Sequence, residues 1–167
     1  MTGSNASVRV LPTETYFALV RQQLSDKGQA YIRVTGNSMT PLLRHLRDGV
    51  IIEPPGKPHA GDIVLFDRKN GRYALHRVIR AKKNGFTMAG DHQWHIENNL
   101  PYDQIVGVVT AIVRGGHFVA GNNFFLKIYS LAMISFTFPR IYLRKVIGWA
   151  IKPFRRPGAR KRKGACS

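Results

Sequence analysis

Gly36-Asn37-Ser38-Met39-Thr40-Pro41 is flanked by two short strand-forming runs, Tyr31-Ile32-Arg33-Val34 before it and Val50-Ile51-Ile52-Glu53 after it. β-Branched and aromatic runs of this length, bounded by glycine and proline, read as strands joined by turns. The serine therefore sits in a turn. A histidine follows about forty residues later inside another strand run, Ala74-Leu75-His76-Arg77-Val78.

Outward from this core the same pattern repeats. Asp62-Ile63-Val64-Leu65-Phe66 follows Gly61, and Tyr73 to Ile79 follows the turn Asn70-Gly71. Phe86-Thr87-Met88-Ala89 precedes Gly90-Asp91, and Ile105 to Val113 is a longer β-branched run. About six strands between glycine and proline turns predict a compact, mainly β domain. Ahead of them Leu11 to Lys27 reads as a helix, with Pro12 in the first turn, Tyr16, Phe17, Leu19, Val20 and Leu24 at helical spacing, and Gly28 as its stop. Residues 1–8 are small and polar and are expected to be disordered. The expected units are 1–29 (tail and helix), 30–123 (the β domain), 124–156 (an apolar and amphipathic helical segment) and 157–167 (a basic tail).

A serine hydroxyl becomes a useful nucleophile when a base within hydrogen-bond reach takes its proton. A neutral histidine can do this, and an acidic group that fixes its tautomer completes the set. Ser38 and His76 supply the first two parts. Three motifs extend the pattern: Asp48-Gly49-Val50, Gly61-Asp62-Ile63-Val64-Leu65-Phe66, and Gly90-Asp91 followed by Ile105-Val106-Gly107.

With Gly36 to Pro41 and His76-Arg77-Val78, these motifs resemble the superfamily of signal peptidases and LexA-type self-cleaving repressors, over roughly residues 30–113. The resemblance implies a signal-peptidase/LexA-like fold of coiled β-sheet and a serine peptidase with Ser38 as nucleophile. Where bacterial signal peptidases and LexA-type proteins place a lysine, this chain has His76. It therefore looks like the Ser–His branch of endoplasmic-reticulum and sporulation-type signal peptidases. The acid of that branch lies in or shortly after a Gly-Asp motif. That places Asp91 first, Glu97 second and Asp103 third. Asn37, Met39 and Pro41 are the expected substrate and oxyanion neighbours. Gly36 stands where many signal peptidases carry a serine, so the oxyanion site would use backbone N–H groups, that of Ser38 included. No counterpart of the N-terminal membrane anchor of signal peptidases is expected.

Charge divides the chain. All nine acids lie in residues 1–103 beside 14 basic residues, whereas residues 104–167 hold 12 basic residues and no acid. Such a segment seeks an anionic surface. Phe124 to Leu143 is strongly apolar, and its longest uncharged stretch, Ile128 to Pro139, is short for a bilayer. A core helix, a membrane-seated hairpin and a spanning helix all stay open for it. Arg140, Arg144, Lys145, Trp149 and Lys152 are the candidate membrane contacts. Nucleic acid is the competing polyanion, but no module that reads it is recognisable. Cys166 is the only cysteine, so no internal disulfide can form. No histidine spacing demands a metal, and no cofactor is expected.

These readings converge on a cytoplasmic serine endopeptidase, peripheral at the inner membrane face, that removes a leader or signal-like segment from a peptide or protein substrate. A LexA-type self-cleaving regulator and an inactive basic module that binds lipid or nucleic acid are the rival readings.

Overall fold

A computed structural model describes residues 11–121 and 123–151, without the side chains of 141 and 144–151. The terminal tails and the proposed contacts Arg144, Lys145, Trp149 and Lys152 thus lie outside the described residues or side chains. Helix α1 (Thr13–Lys27) starts after Pro12 and ends at Gly28. That glycine takes the left-handed φ of +70° and donates its N–H to the Leu24 carbonyl at 3.0 Å, which closes the last turn. Val20 and Leu24 face the core.

Eight strands follow among the described residues: β1 (Ala30–Arg33), β2 (Asp48–Glu53), β3 (Ile63–Asp67), β4 (Tyr73–Lys82), β5 (Gly85–Ala89), β6 (Ile96–Leu100), β7 (Ile105–Arg114) and β8 (His117–Ala120). They form one antiparallel sheet in the order β1-β2-β7-β3-β4-β5-β6, with β8 added to β7. Register shifts at Ile51/Ile52, Leu65/Phe66, Val78/Arg80 and Phe86/Met88 bend it. The bent sheet encloses two apolar cores. One joins α1 to β1, β2 and the turn residues Met39 and Leu43; the other lies among Val64, Phe66, Val78, Phe86, Met88 and Ile105.

The expected mainly β fold with an N-terminal helix is present, with two strands more than expected. Strand β6 (Ile-Glu-Asn-Asn-Leu) has little β propensity and exists because β5 offers it an edge. Strand β8 follows Gly115-Gly116, both at positive φ, and closes a hairpin onto β7.

Residues 124–151 form a single helix, α2 (Phe124–Ile151), that runs through Pro139. A hairpin over 124–143 is thereby replaced by continuous helix. Among the described residues no helix is long and apolar enough to cross a membrane.

Asp48 anchors the turn that carries Ser38. Its buried carboxylate accepts from the Arg44 N–H at 2.9 Å and from the guanidinium groups of Arg47 and Arg114 at 2.8–3.1 Å. Burial pushes its carboxyl up, but these hydrogen bonds outweigh it and hold Asp48 far below the usual carboxylate range. Both arginines are more than a third exposed, so water screens part of the gain. Asp48→Asn is expected to cost about 2–3 kcal/mol, read as a lower Tm. A carboxyl depressed by folding stabilises above its unfolded pKa, and the benefit fades as pH falls. The gap between wild type and variant should therefore narrow on acidification below about pH 4. A gap that stays constant down to pH 2 would remove the ionic explanation.

Candidate functional site

Ser38 lies half-buried in the turn between β1 and β2. Its neighbour Met39 is 1% exposed and Leu43 is fully buried, and the Leu43 N–H donates to the Met39 carbonyl at 2.9 Å. Two apolar anchors thus pin the turn and leave the serine at its surface. The Ser38 carbonyl accepts a hydrogen bond from the His92 N–H at 2.8 Å. Gly90 runs so close that a Cβ there would stand 2.6 Å from the same carbonyl oxygen. Only glycine lets the β5–β6 connection lean on the serine turn in this way.

His76 stands in the middle of β4, opposite Val64 of β3, and is 2% exposed. Its Nδ1 lies 2.9 Å from Glu97 Oε1. An ionised carboxylate only accepts, so Nδ1 carries the proton and Nε2 is left with its lone pair. Arg68 grips the same carboxylate with two bonds, Nε to Oε2 at 3.1 Å and Nη2 to Oε1 at 2.6 Å. Burial alone would raise the Glu97 carboxyl; the bonds from His76 and Arg68 overcome it and bring it down to about 2. Arg68, Glu97 and His76 form a continuous chain of charge-assisted contacts.

Ser38, His76 and Arg68 line one groove of about 260 Å³. Its walls include Leu65, Leu75 and Met39, and Phe17 of α1 stacked on Tyr73 at 3.6 Å between ring centroids. Asn37 and Pro41 are exposed and stand outside the residues that line this groove.

Asp91, placed first by sequence as partner of His76, is committed elsewhere. Both its oxygens accept from Arg77, at 2.8 and 2.7 Å, in a pair whose side chains are 1% and 2% exposed. Register explains the exchange. Residues opposite one another across strands share a face, as do residues two apart along a strand. Val78 faces Met88 and Met88 faces Glu97, so His76, Val78, Met88 and Glu97 share a side. Arg77 faces Ala89, two residues before Asp91, which puts Asp91 on the other side. Asp103 is exposed and lies 3.4 Å from Lys69. The sequence reading missed Arg68, since an arginine beside a turn carries no signal of its target.

Arg140 also departs from expectation. Its guanidinium turns inward, bonding the carbonyls of Asp91 and Gln93 and lying over the Trp94 ring, so it is not free to meet a membrane. Among the described residues no group of three or more His, Cys, Asp or Glu side chains could hold a metal ion.

The arrangement can move a proton: a hydroxyl and an imidazole share a groove, and a fixed carboxylate sits behind the imidazole. Residues 3–110 match the Peptidase S24-like family. No curated protein matches the chain.

Replacing Glu97 by Gln tests the tautomer directly. The two Arg68 donors would take the Gln carbonyl and turn its NH₂ toward Nδ1, which would then have to accept. Nitrogen-15 NMR of the His76 ring should show the proton on Nδ1 in wild type and on Nε2 in Glu97→Gln. The same tautomer in both proteins would rule out Glu97 as the group that sets it.

Proposed function

The chain belongs to the Peptidase S24-like family of serine peptidases, and from that premise we propose that it is an endopeptidase that removes a leader or signal-like segment from a peptide substrate. In this reading Ser38 Oγ attacks the scissile carbonyl while His76 Nε2 takes the hydroxyl proton. The tetrahedral intermediate collapses, the C–N bond breaks, and His76 returns the proton to the leaving amine. Water, deprotonated in turn by His76, then releases the acyl group from Ser38. Glu97, held by Arg68, keeps the ring in the productive tautomer and steadies the imidazolium. Backbone N–H groups of the serine turn, that of Ser38 included, meet the oxyanion.

The observation that carries the reading is the Arg68–Glu97–His76 chain ending in the groove that also holds Ser38. An extended leader bearing small residues next to the cut is part of this reading.

A serine-reactive acylating probe and a fluorogenic Ala-x-Ala peptide test the proposal. Wild type should gain one acyl group by intact mass and cleave the peptide. Ser38→Ala should lose both, with turnover down at least about 10⁴-fold and Tm nearly unchanged. Cleavage by Ser38→Ala at the wild-type rate would remove the serine from the mechanism. A Ser38-dependent fragment of the chain itself would instead assign self-cleavage of the LexA kind.

We also propose that this peptidase works at the inner face of the cell membrane, seated on anionic lipid by its C-terminal part. Phe125, Ile128, Leu131, Phe136, Phe138 and Tyr142 of α2 are exposed. Helical spacing puts Ile128, Leu131, Phe138 and Tyr142 on the side away from Ser130, Thr137 and Arg140, which meet the protein or are buried, with Phe125 and Phe136 on its flank. An exposed aromatic and aliphatic face next to a strongly basic segment suits an interfacial helix, and each basic residue near an anionic leaflet adds about 1 kcal/mol. Co-sedimentation should capture wild type on vesicles with anionic phosphatidylglycerol but not on pure phosphatidylcholine. Leu131→Asp with Phe138→Asp should release it. Equal binding of the double variant would place the contact elsewhere.

A further inference from the structure

Arg140 reaches from α2 into the loop between β5 and β6. Its Nη1 donates to the Asp91 carbonyl and its Nη2 to the Gln93 carbonyl at 2.6 Å. Its Cζ lies over the Trp94 ring, 5.6 Å from the centroid. The Asp91 carbonyl and the His92 N–H belong to the same peptide group, and that N–H donates to the Ser38 carbonyl at 2.8 Å. One peptide unit is thus held between a cation on α2 and the main chain of the serine. A charged donor on its carbonyl polarises the unit and strengthens its N–H as a donor.

A second tie runs alongside. Ser130 Oγ, ten residues earlier on α2, lies 2.6 Å from Arg77 Nη1, and Arg77 holds the Asp91 carboxylate. The helix therefore grips the loop through its main chain at Asp91 and Gln93 and through its side chain at Asp91. Gln93 in turn lines the groove beside Ser38.

We propose that α2 is a built-in positioning element of the peptidase site and that Arg140 is its positioning residue, an inference that rests on the peptidase reading above. The orientation of the Ser38 carbonyl fixes the backbone dihedral on the C-terminal side of Ser38, and with it the direction of the Cα–Cβ bond from which Oγ projects. Arg140 touches neither substrate nor the reacting atoms. It acts by holding the Asp91–His92 peptide in the orientation that holds Ser38.

The test uses the full chain, the fluorogenic Ala-x-Ala peptide and active-site titration with the acylating probe. Arg140→Met keeps the length of the stem and removes both donors. It should lower kcat per titrated site about 10–100-fold, with KM within about threefold and the acid limb of the pH profile unmoved, because Glu97, His76 and Arg68 are untouched. Arg140→Lys can meet only one of the two carbonyls and should recover part of the loss. A purely structural role would show fewer titratable sites, each with wild-type kcat, and that result overturns the proposal. So does wild-type turnover in Arg140→Met. Should Arg140→Met fail to fold, Arg140→Lys decides: reduced kcat per site supports the role and an unchanged value overturns it. Wild type without Ser38-dependent turnover would overturn the peptidase reading itself, and this inference with it, before Arg140 is altered.

Discussion

The pair Arg77–Asp91 is closed off from water, and the arrangement of the site depends on it. Removing two charges from water costs several kcal/mol each, repaid only where their hydrogen bonds are met. Here they are: Arg77 spends its Nε and Nη2 on Asp91 and its Nη1 on the Gly61 carbonyl and Ser130, while Tyr129 lies beside it, 5.4 Å from the ring centroid. The net gain in stability from such a pair is modest, but either partner alone is strongly unfavourable. The loop after β5, the start of β3 and helix α2 are therefore held in one mutual arrangement. Adjacent strand residues project to opposite faces, so His76, next to Arg77, points to the other side of the sheet. Strand β4 thereby carries an imidazole toward Glu97 on one face and the strut that fixes the neighbouring loop on the other.

The His76 side follows a different economy of charge. Glu97 is shared between a permanent cation and an imidazole. Arg68 keeps the carboxylate ionised and immobile, which fixes the tautomer of His76.

Sequence revealed α1 and six strands because Pro12, Gly28, Gly61 and Asn70-Gly71 punctuate runs with a clear period. Ser38 and His76 were legible because their local motifs are short, ordered and chemically suggestive. The choice of acid was not. It depends on strand register, and register depends on β6, whose polar residues hide it, and on bulges that shift the pairing between β4 and β5. With β6 unseen, Asp91 gained from its nearness to Gly90, and Glu97 had no visible route to the face of His76. Arg68 and Arg140 escaped for a related reason. An arginine's reach spans several strands, so its partner is set by tertiary placement rather than by neighbours in sequence.

Helix α2 shows the same limit from another side. Its composition leaves a core helix, a membrane-seated hairpin and a spanning helix all open, and Arg140 reads as one more basic residue on a lipid-facing surface. The structure divides the helix by face instead. Ser130, Thr137 and Arg140 lie seven and three residues apart along the inner side, where Thr137 is buried and the other two bond the loop and its strut. The aromatic and aliphatic residues left outside contribute nothing to the two cores. An apolar helix without polar ties could rotate about its axis at little cost, since any side of it would bury comparably. Directional bonds at Ser130 and Arg140 remove that freedom. They set which face meets the protein, and the same bonds that orient the helix bear on the peptide that bears on Ser38.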